Sequence, residues 1–464
     1  MSSKQINFRY EYLDESAEFG QLSSPKLHRD RVKNSLMDAQ LGFRHSQVVD
    51  SMLWCNRLAR ERNESPDPIF WHHSGMGVGP WTDNQPHVIP AAVQYHPLDW
   101  TDYDDAGKEI PSKKSIFERL NPAFLNNIRR GNAILLIDQS VEGYSMPWLW
   151  SWFHAKCAKL DINPEAIIYL TGDQSCSDQY NAWCALHNPA KRLKILPSTS
   201  LSMYIRIHYD RANLNIRFDD ILQHKAKNKD DLYLFDCINM RPRMSRMVFF
   251  LHLVNSGLIK HGNVSMPHID TWVPNGTIFE PNFLRAHNLP VDLENKLPPG
   301  STPMIAKHNH EPAIAGTNEY YKFVERILAD MYKNSWVSLV TESSFFQRDC
   351  SVFISEKSFK PIASMQPFIT VGAKHSLKYI RKLGYKTFHP FIDESYDDLD
   401  DGDRMLAILK AVEQIKQIKD KVQWFASMRD ILEHNHAVFM EIGTKKSAEH
   451  IAICNHYFNY FNHA

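Results

Sequence analysis

Short continuous apolar runs, each closed by polar or turn residues and separated by helix-length stretches, recur along this chain and narrow its fold more than any other feature. NAILLID (132–138), AIIYLTGD (166–173) and RLKILPS (192–198) are three of them, with MPWLWSWFHAKCAKL and QYNAWCALH in between. A strand apolar on both faces needs cover on both, which predicts buried parallel strands joined by crossover helices, β-α-β-α-β. A second series begins after HKAKNKDD (224–231), whose charge reads as a solvated link between domains. In it LYLFDCIN (232–239), WVSLVTES (336–343), PFITVG (367–372) and YKTFHPFI (385–392) read as strands. SRMVFFLHLVNSGL reads as a helix closed by Gly257, and HSLKYIRKLG as one ending at Gly384. Residues 403–442 and SAEHIAICNHYFNYF add closing helices. The expected class is α/β, two doubly wound Rossmann-like domains facing a cleft, divided at 1–228 and 229–464. In the first 125 residues, rich in Trp, His, Pro and Asp, a helix around HSQVVDSMLWCNRLARER is the one legible element.

Composition limits the partners. With 464 residues, 43% of them hydrophobic, the chain can bury a large core. Basic and acidic residues both total 53, so no global field draws it to nucleic acid or an anionic membrane. The seven cysteines are odd in number and form no CxxC, which predicts reduced thiols in a cytoplasmic protein, without disulfides or zinc. The polar N-terminus and the lack of any long uncharged apolar run predict neither a signal peptide nor a membrane span.

Two stretches carry chemistry. In NMRPRMSRMVFFLHLVNSG (239–257), Met244, Met247, Val248 and Leu251 fall at helical spacing and predict an amphipathic helix, with Pro242 near its start. Arg241, Arg243 and Arg246 then crowd a helix N-terminus, where the macrodipole already disfavours cations. Either surface acids pair with them, or a diphosphate takes both the free N–H groups and the guanidinium forks. In FISEKSFKPIASMQPFITVG (353–372), Ser355 is placed to cap a helix starting at Glu356, at the carboxyl end of a strand. Pro361 lacks the N–H that would bond to the Lys357 carbonyl, so this helix is short or kinked. Lys357 can neutralise a phosphate while Glu356 accepts ribose hydroxyls, although a Glu-Lys pair is also ordinary on a solvated helix face.

Together, the arginine-led helix, TESSFFQRDCSVFISEK (341–357) and the strand in QPFITVG resemble the donor-nucleotide domain of the α-1,3-fucosyltransferase family. The family's Tyr-Val-Thr-Glu-Lys element is matched by FISEK, and the resemblance covers roughly residues 232–395. It implies a GT-B-like fold in which Glu356 holds the donor ribose, with Lys357 and Arg246 on the diphosphate. Arg243, Glu342 and Ser355 complete the implied donor site. Ser343 follows Glu342 where the family has Asn, the spacing from Glu342 to Glu356 is longer, and Phe353 replaces the Tyr, so fucose itself is not implied. GYKTFHPFIDESYDDLDDGDRMLAIL is similar to glycosyltransferase-like proteins of large phages and giant viruses. The expectation is an inverting, metal-independent glycosyltransferase that uses a nucleoside-diphosphate sugar as co-substrate. Its acceptor hydroxyl belongs to a glycan or to a hydroxylated base of viral DNA, the latter read in a groove built from Lys113, Lys114, Arg129 and Arg130. The alternative is a non-catalytic protein of the same fold that binds a sugar or nucleotide.

For the general base, IDQSVEGYS (137–145) ends a strand in a turn that offers Asp138 or Glu142. The acidic runs DYDD (102–105) and DDLDDGD (397–403) read as solvated turns, and the histidines of WHH (71–73) and KHNHEP (307–312) carry no ligand-like spacing. GMGVGP (75–80) reads as a flexible loop, and Trp148, Trp150 and Trp152 as core.

Overall fold

The structure is a computed structural model that describes residues 6–8, 52, 69–71, 86–93, 101–104, 106–120, 122–239, 243–265, 281–292, 330–346, 351–442 and 448–462. The expected helix at 45–62, apart from Met52, and the segments 75–80 and 307–312 fall outside them, as does Arg241. The chain divides into two compact units, Met1–Met203 with Ile442–Ala464, and Tyr204–Glu441.

In the first unit six parallel strands, β1 (Ile6–Phe8), β2 (Ile69–Trp71), β3 (His87–Ala92), β4 (Ala133–Gln139), β5 (Ile167–Thr171) and β6 (Lys194–Pro197), are ordered β2-β1-β3-β4-β5-β6. Helix α1 (Pro122–Arg129) leads into β4, while α2 (Leu149–Lys159) and α3 (Cys176–His187) are the crossovers that follow β4 and β5. The period of two explains why the runs are continuously apolar. Leu135, Ile137, Ile167 and Tyr169 belong to a core with Trp150, Trp152 and Phe153 of α2. Ile134, Leu136, Ile168 and Leu170 belong to a second core with Ile453 and Tyr457. Both tryptophans of that α2 core are buried, as expected.

In the second unit four parallel strands, β7 (Tyr233–Ile238), β8 (Gly262–Ser265), β9 (Ser335–Thr341) and β10 (Phe368–Val371), are ordered β10-β9-β7-β8. Helix α4 (Ser200–Arg211) contains the boundary between the units, and α5 (Phe218–Lys227) precedes β7. Then come α6 (Met244–Asn255), α7 (Glu356–Ala363), α8 (Ser376–Lys382), α9 (Asp401–Gln417), α10 (Lys421–Ala426), α11 (Arg429–Met440) and, back in the first unit, α12 (Ala448–Asn462). Among the described residues no helix is long and apolar enough to cross a membrane.

Several expectations are corrected. The division is not at 228/229 with both closing helices in the second unit. Ile453 and Tyr457 of α12 supply the apolar cover that the second face of the β4–β5 region requires. Residues 224–231 do not link the units either: most of them are exposed, but they lie within the second unit, where α5 packs. Phe218 stacks on Phe425 at 5.3 Å, and Lys225 is fully buried. YKTFHPFI forms no strand. Asn435 takes the Lys386 N–H at 2.7 Å and donates to its carbonyl at 2.8 Å, and Glu394 accepts from Phe388 N–H. Side chains thus satisfy the backbone groups that a ladder would have used, and Pro390 offers no N–H. Helix α6 is buried over Ser245–Val254 instead of amphipathic. Gly257 and Gly384 do close their helices in the left-handed region, with φ of 72° and 92°.

Candidate functional site

The second sheet reverses its order between β7 and β9. From β7 the chain passes through α6 to β8 on one side, and from β9 through α7 to β10 on the other. The carboxyl ends of such a strand pair open a crevice in which ligands of doubly wound folds sit. Asn239, directly after β7, spans this point. Its N–H donates to Ser265 Oγ at 3.0 Å, and its side-chain oxygen accepts from Thr341 Oγ1 at the end of β9.

Glu342 follows β9 and is 1% exposed. Its carboxylate accepts from Ser355 N–H at 3.0 Å, Ser358 Oγ at 2.7 Å and Ser355 Oγ. Ser355 is the N-cap of α7 as expected, its hydroxyl accepting from Lys357 N–H at 3.3 Å. Glu342 and Ser355 therefore hold the start of the helix that carries Glu356 and Lys357. The helix is short, eight residues, and the Ser364 N–H turns back to the Lys360 and Pro361 carbonyls at 3.1 Å.

On this support stands the Glu-Lys pair. Lys357 Nζ lies 2.9 Å from Glu356 Oε1 and donates to Ser355 Oγ at 3.1 Å, with both charged side chains 22% exposed. Burial raises the pKa of Glu356, but the fields of Lys357 and Lys360 and the Lys357 hydrogen bond outweigh it and hold the carboxyl at about 2. Across the switch point, Arg243 occupies the N-cap position of α6 and Arg246 lies in its first turn, 3% exposed. Burial, then the field of Arg243, pulls Arg246 down to about 10 against the opposing fields of Glu356 and Glu342. Among the described residues whose fields meet here, Arg243, Arg246, Lys357 and the buried Lys360 stand with Glu342 and Glu356, four cationic groups to two carboxylates, at and just inside two helix N-termini.

Arg404 fixes the loops around the site. It donates from Nε to the Gly372 carbonyl at 3.1 Å and from Nη1 to the Leu399 carbonyl at 2.7 Å, and pairs with Asp401 at 2.8 Å. Gly372 directly follows β10, and a Cβ there would lie 2.9 Å from Ser376 Oγ. Asn239, Lys360 and Arg404 were missed in the sequence. Lys360 alone carried a signal, four residues after Glu356 and hence on its helix face.

The proposed bases lie in the first unit, at the carboxyl edge of β4. Asp138 is 4% exposed and accepts from Ser140 N–H at 2.9 Å. Glu142, half-buried, sits in a turn fixed by its own N–H to the Gln139 carbonyl at 3.1 Å and by Gly172 N–H to its carbonyl at 2.9 Å. A third carboxylate had no sequence signal. Glu449 of α12 accepts from Thr199 Oγ1 at 3.0 Å and Thr199 N–H at 3.2 Å, just before α4. Burial pushes it up to about 7, and Asp138 acts in the same direction.

The acidic runs are not simply solvated. Asp102 is 2% exposed, accepting from Trp152 Nε1 at 2.7 Å and paired with buried Lys156. Asp397 is 5% exposed and caps α8 through the N–H groups of Leu377 at 2.9 Å and Lys378 at 3.1 Å. Comparison of the chain with family models, curated proteins and solved structures finds no match.

Proposed function

We propose that the protein is an inverting, metal-independent glycosyltransferase of GT-B-like architecture that binds a nucleoside-diphosphate sugar at the switch point of its second sheet. The gathering of Arg243, Arg246, Lys357 and Lys360 with two carboxylates, counted among the described residues, is the observation that supports this reading. A diphosphate brings two or more negative charges on oxygens that match guanidinium forks and free N–H groups. In the reaction, an acceptor hydroxyl oxygen attacks the anomeric carbon and the bond from that carbon to the diphosphate oxygen breaks. The electron pair leaves with the diphosphate, and the acceptor proton passes to a base. Arg246 and Lys357 stabilise the leaving charge, so the reaction needs no cation beyond these side chains. Glu142 is favoured over Asp138 as the base because it is the less buried of the two.

A glycan acceptor is favoured over a DNA base. Arg129 and Arg130 precede the amino end of β4, a strand length of ~20 Å from Asp138, and Arg129 Nε is held by the Leu160 carbonyl at 2.6 Å. The test is calorimetric titration with GDP, UDP and their sugars, followed by release of free nucleoside diphosphate on adding glycan acceptors. Binding without turnover selects the non-catalytic alternative, and no binding of either nucleotide overturns the reading.

A further inference from the structure

On the reading above, Glu356 accepts hydrogen bonds from sugar hydroxyls on both oxygens, and most strongly, when it is ionised, and its close partner is Lys357 at 2.9 Å. A diphosphate competes for that same ammonium. If Lys357 were the whole counter-charge, ligand binding would strip Glu356 of it inside a desolvated site. Lys360 lies three residues after Lys357 and four after Glu356, on one helix face, and helical side chains lean toward the N-terminus. It is 6% exposed, so packing holds it where it is. Its charge is felt at Glu356, Lys357 and Glu342.

We infer that Lys360, one helical turn on, is the positioning residue whose charge keeps the Glu356 carboxylate ionised when Lys357 turns to a diphosphate; this rests on the nucleotide-binding reading above. One lysine then serves the ligand and the other serves the acid. The remaining groups around the pair are compatible with that division. Arg246 of α6 lies within the field of Glu356, and Tyr332, before β9, is a buried neutral phenol that feels its charge. His208 of α4 is held down to about 4 by burial and by the fields of Arg211 and Lys360, so it is neutral at physiological pH and adds no competing cation.

The test reads Glu356 directly in the full chain by carboxyl-carbon NMR, with Glu356→Gln assigning the resonance. Lys357→Met imitates the withdrawal of Lys357 without any ligand. Glu356 is expected to stay ionised in Lys357→Met, to titrate higher by roughly one unit or more in Lys357→Met/Lys360→Met, and to be restored by Lys357→Met/Lys360→Arg. A Lys357→Met chain whose Glu356 titrates as high as in the double Met variant overturns the inference, as does failure of Arg to restore it. A second arm uses GDP and UDP. Lys360→Met should make affinity fall about tenfold further than wild type on acidification, through protonation of Glu356. If neither nucleotide binds wild type, the nucleotide reading fails, and the ligand-free arm still decides the role of Lys360.

Discussion

A buried carboxylate can hold a ligand or hold a helix, and Glu342 is of the second kind while Glu356 remains available for the first. All three donors on Glu342 come from the start of α7. Glu342→Ala is expected to lower stability by about 2 kcal/mol in urea unfolding, since it leaves buried donors unsatisfied. Lys357→Ala, at a half-buried position, should keep the unfolding midpoint and weaken GDP or UDP binding by about 1.5–3 kcal/mol. Arg246→Ala is the less clean variant because a side chain 3% exposed also contributes packing. Lys225 is the contrasting case of a buried lysine outside the site, which burial pulls down to about 7. Its ammonium donates to the carbonyls of Ser335 and Tyr332 and to Gln366 Oε1, and lies 4.9 Å over the Phe425 ring. Lys225→Met should cost about 3 kcal/mol, because three buried acceptors lose a donor at once.

Among elements, strands and their partners follow from pattern, while the pieces that anchor helices do not. The continuous apolar runs at β4, β5, β7, β9 and β10 were legible because a two-sided strand leaves no other arrangement. YKTFHPFI misled because its satisfaction comes from Asn435 and Glu394, the first of them 49 residues from the Lys386 it bonds. HKAKNKDD misled because one lysine of a charged run points into a core. Close approach is equally silent in sequence. Gly262 opens β8 opposite Phe235, and a Cβ there would lie 2.2 Å from the phenylalanine ring. Gly262→Ala should therefore destabilise by about 1–3 kcal/mol, measured by urea unfolding. Glu449 ties α12 to the residues before α4, and its raised pKa has a defined sign. Between the unfolded value of 4.5 and the folded value of about 7, the native state binds the extra proton. Its contribution is full below 4.5 and is lost as pH rises through 7. Wild type should lose stability between pH 5 and pH 8 relative to Glu449→Gln, which cannot titrate, in paired denaturant curves.

For the whole molecule, the two units divide the legible from the illegible. In the second unit the sequence pointed to Arg243, Arg246, Glu356 and Lys357, and the strand order brings their helices to one switch point, because each helix follows an apolar strand at a short offset. In the first unit the switch point falls between β1 and β3, and the chain that follows both strands is outside the described residues, so the base was read from β4 alone. That difference shapes the last prediction. On the proposed reading the nucleotide contacts would fall to the unit Tyr204–Glu441, whereas Glu142 and Asp138 belong to the other, so substitution there should separate binding from chemistry. Glu142→Gln keeps the shape and most hydrogen bonds but cannot take a proton, and removing a general base typically costs about a hundred- to ten-thousandfold in rate. The expected result is GDP or UDP affinity within twofold of wild type, with sugar transfer abolished. Asp138→Asn is the second variant, and its amide still accepts the Ser140 N–H that shapes the turn. Transfer near the normal rate in both would remove β4 as the source of the base and place it on the strands at the first unit's own switch point.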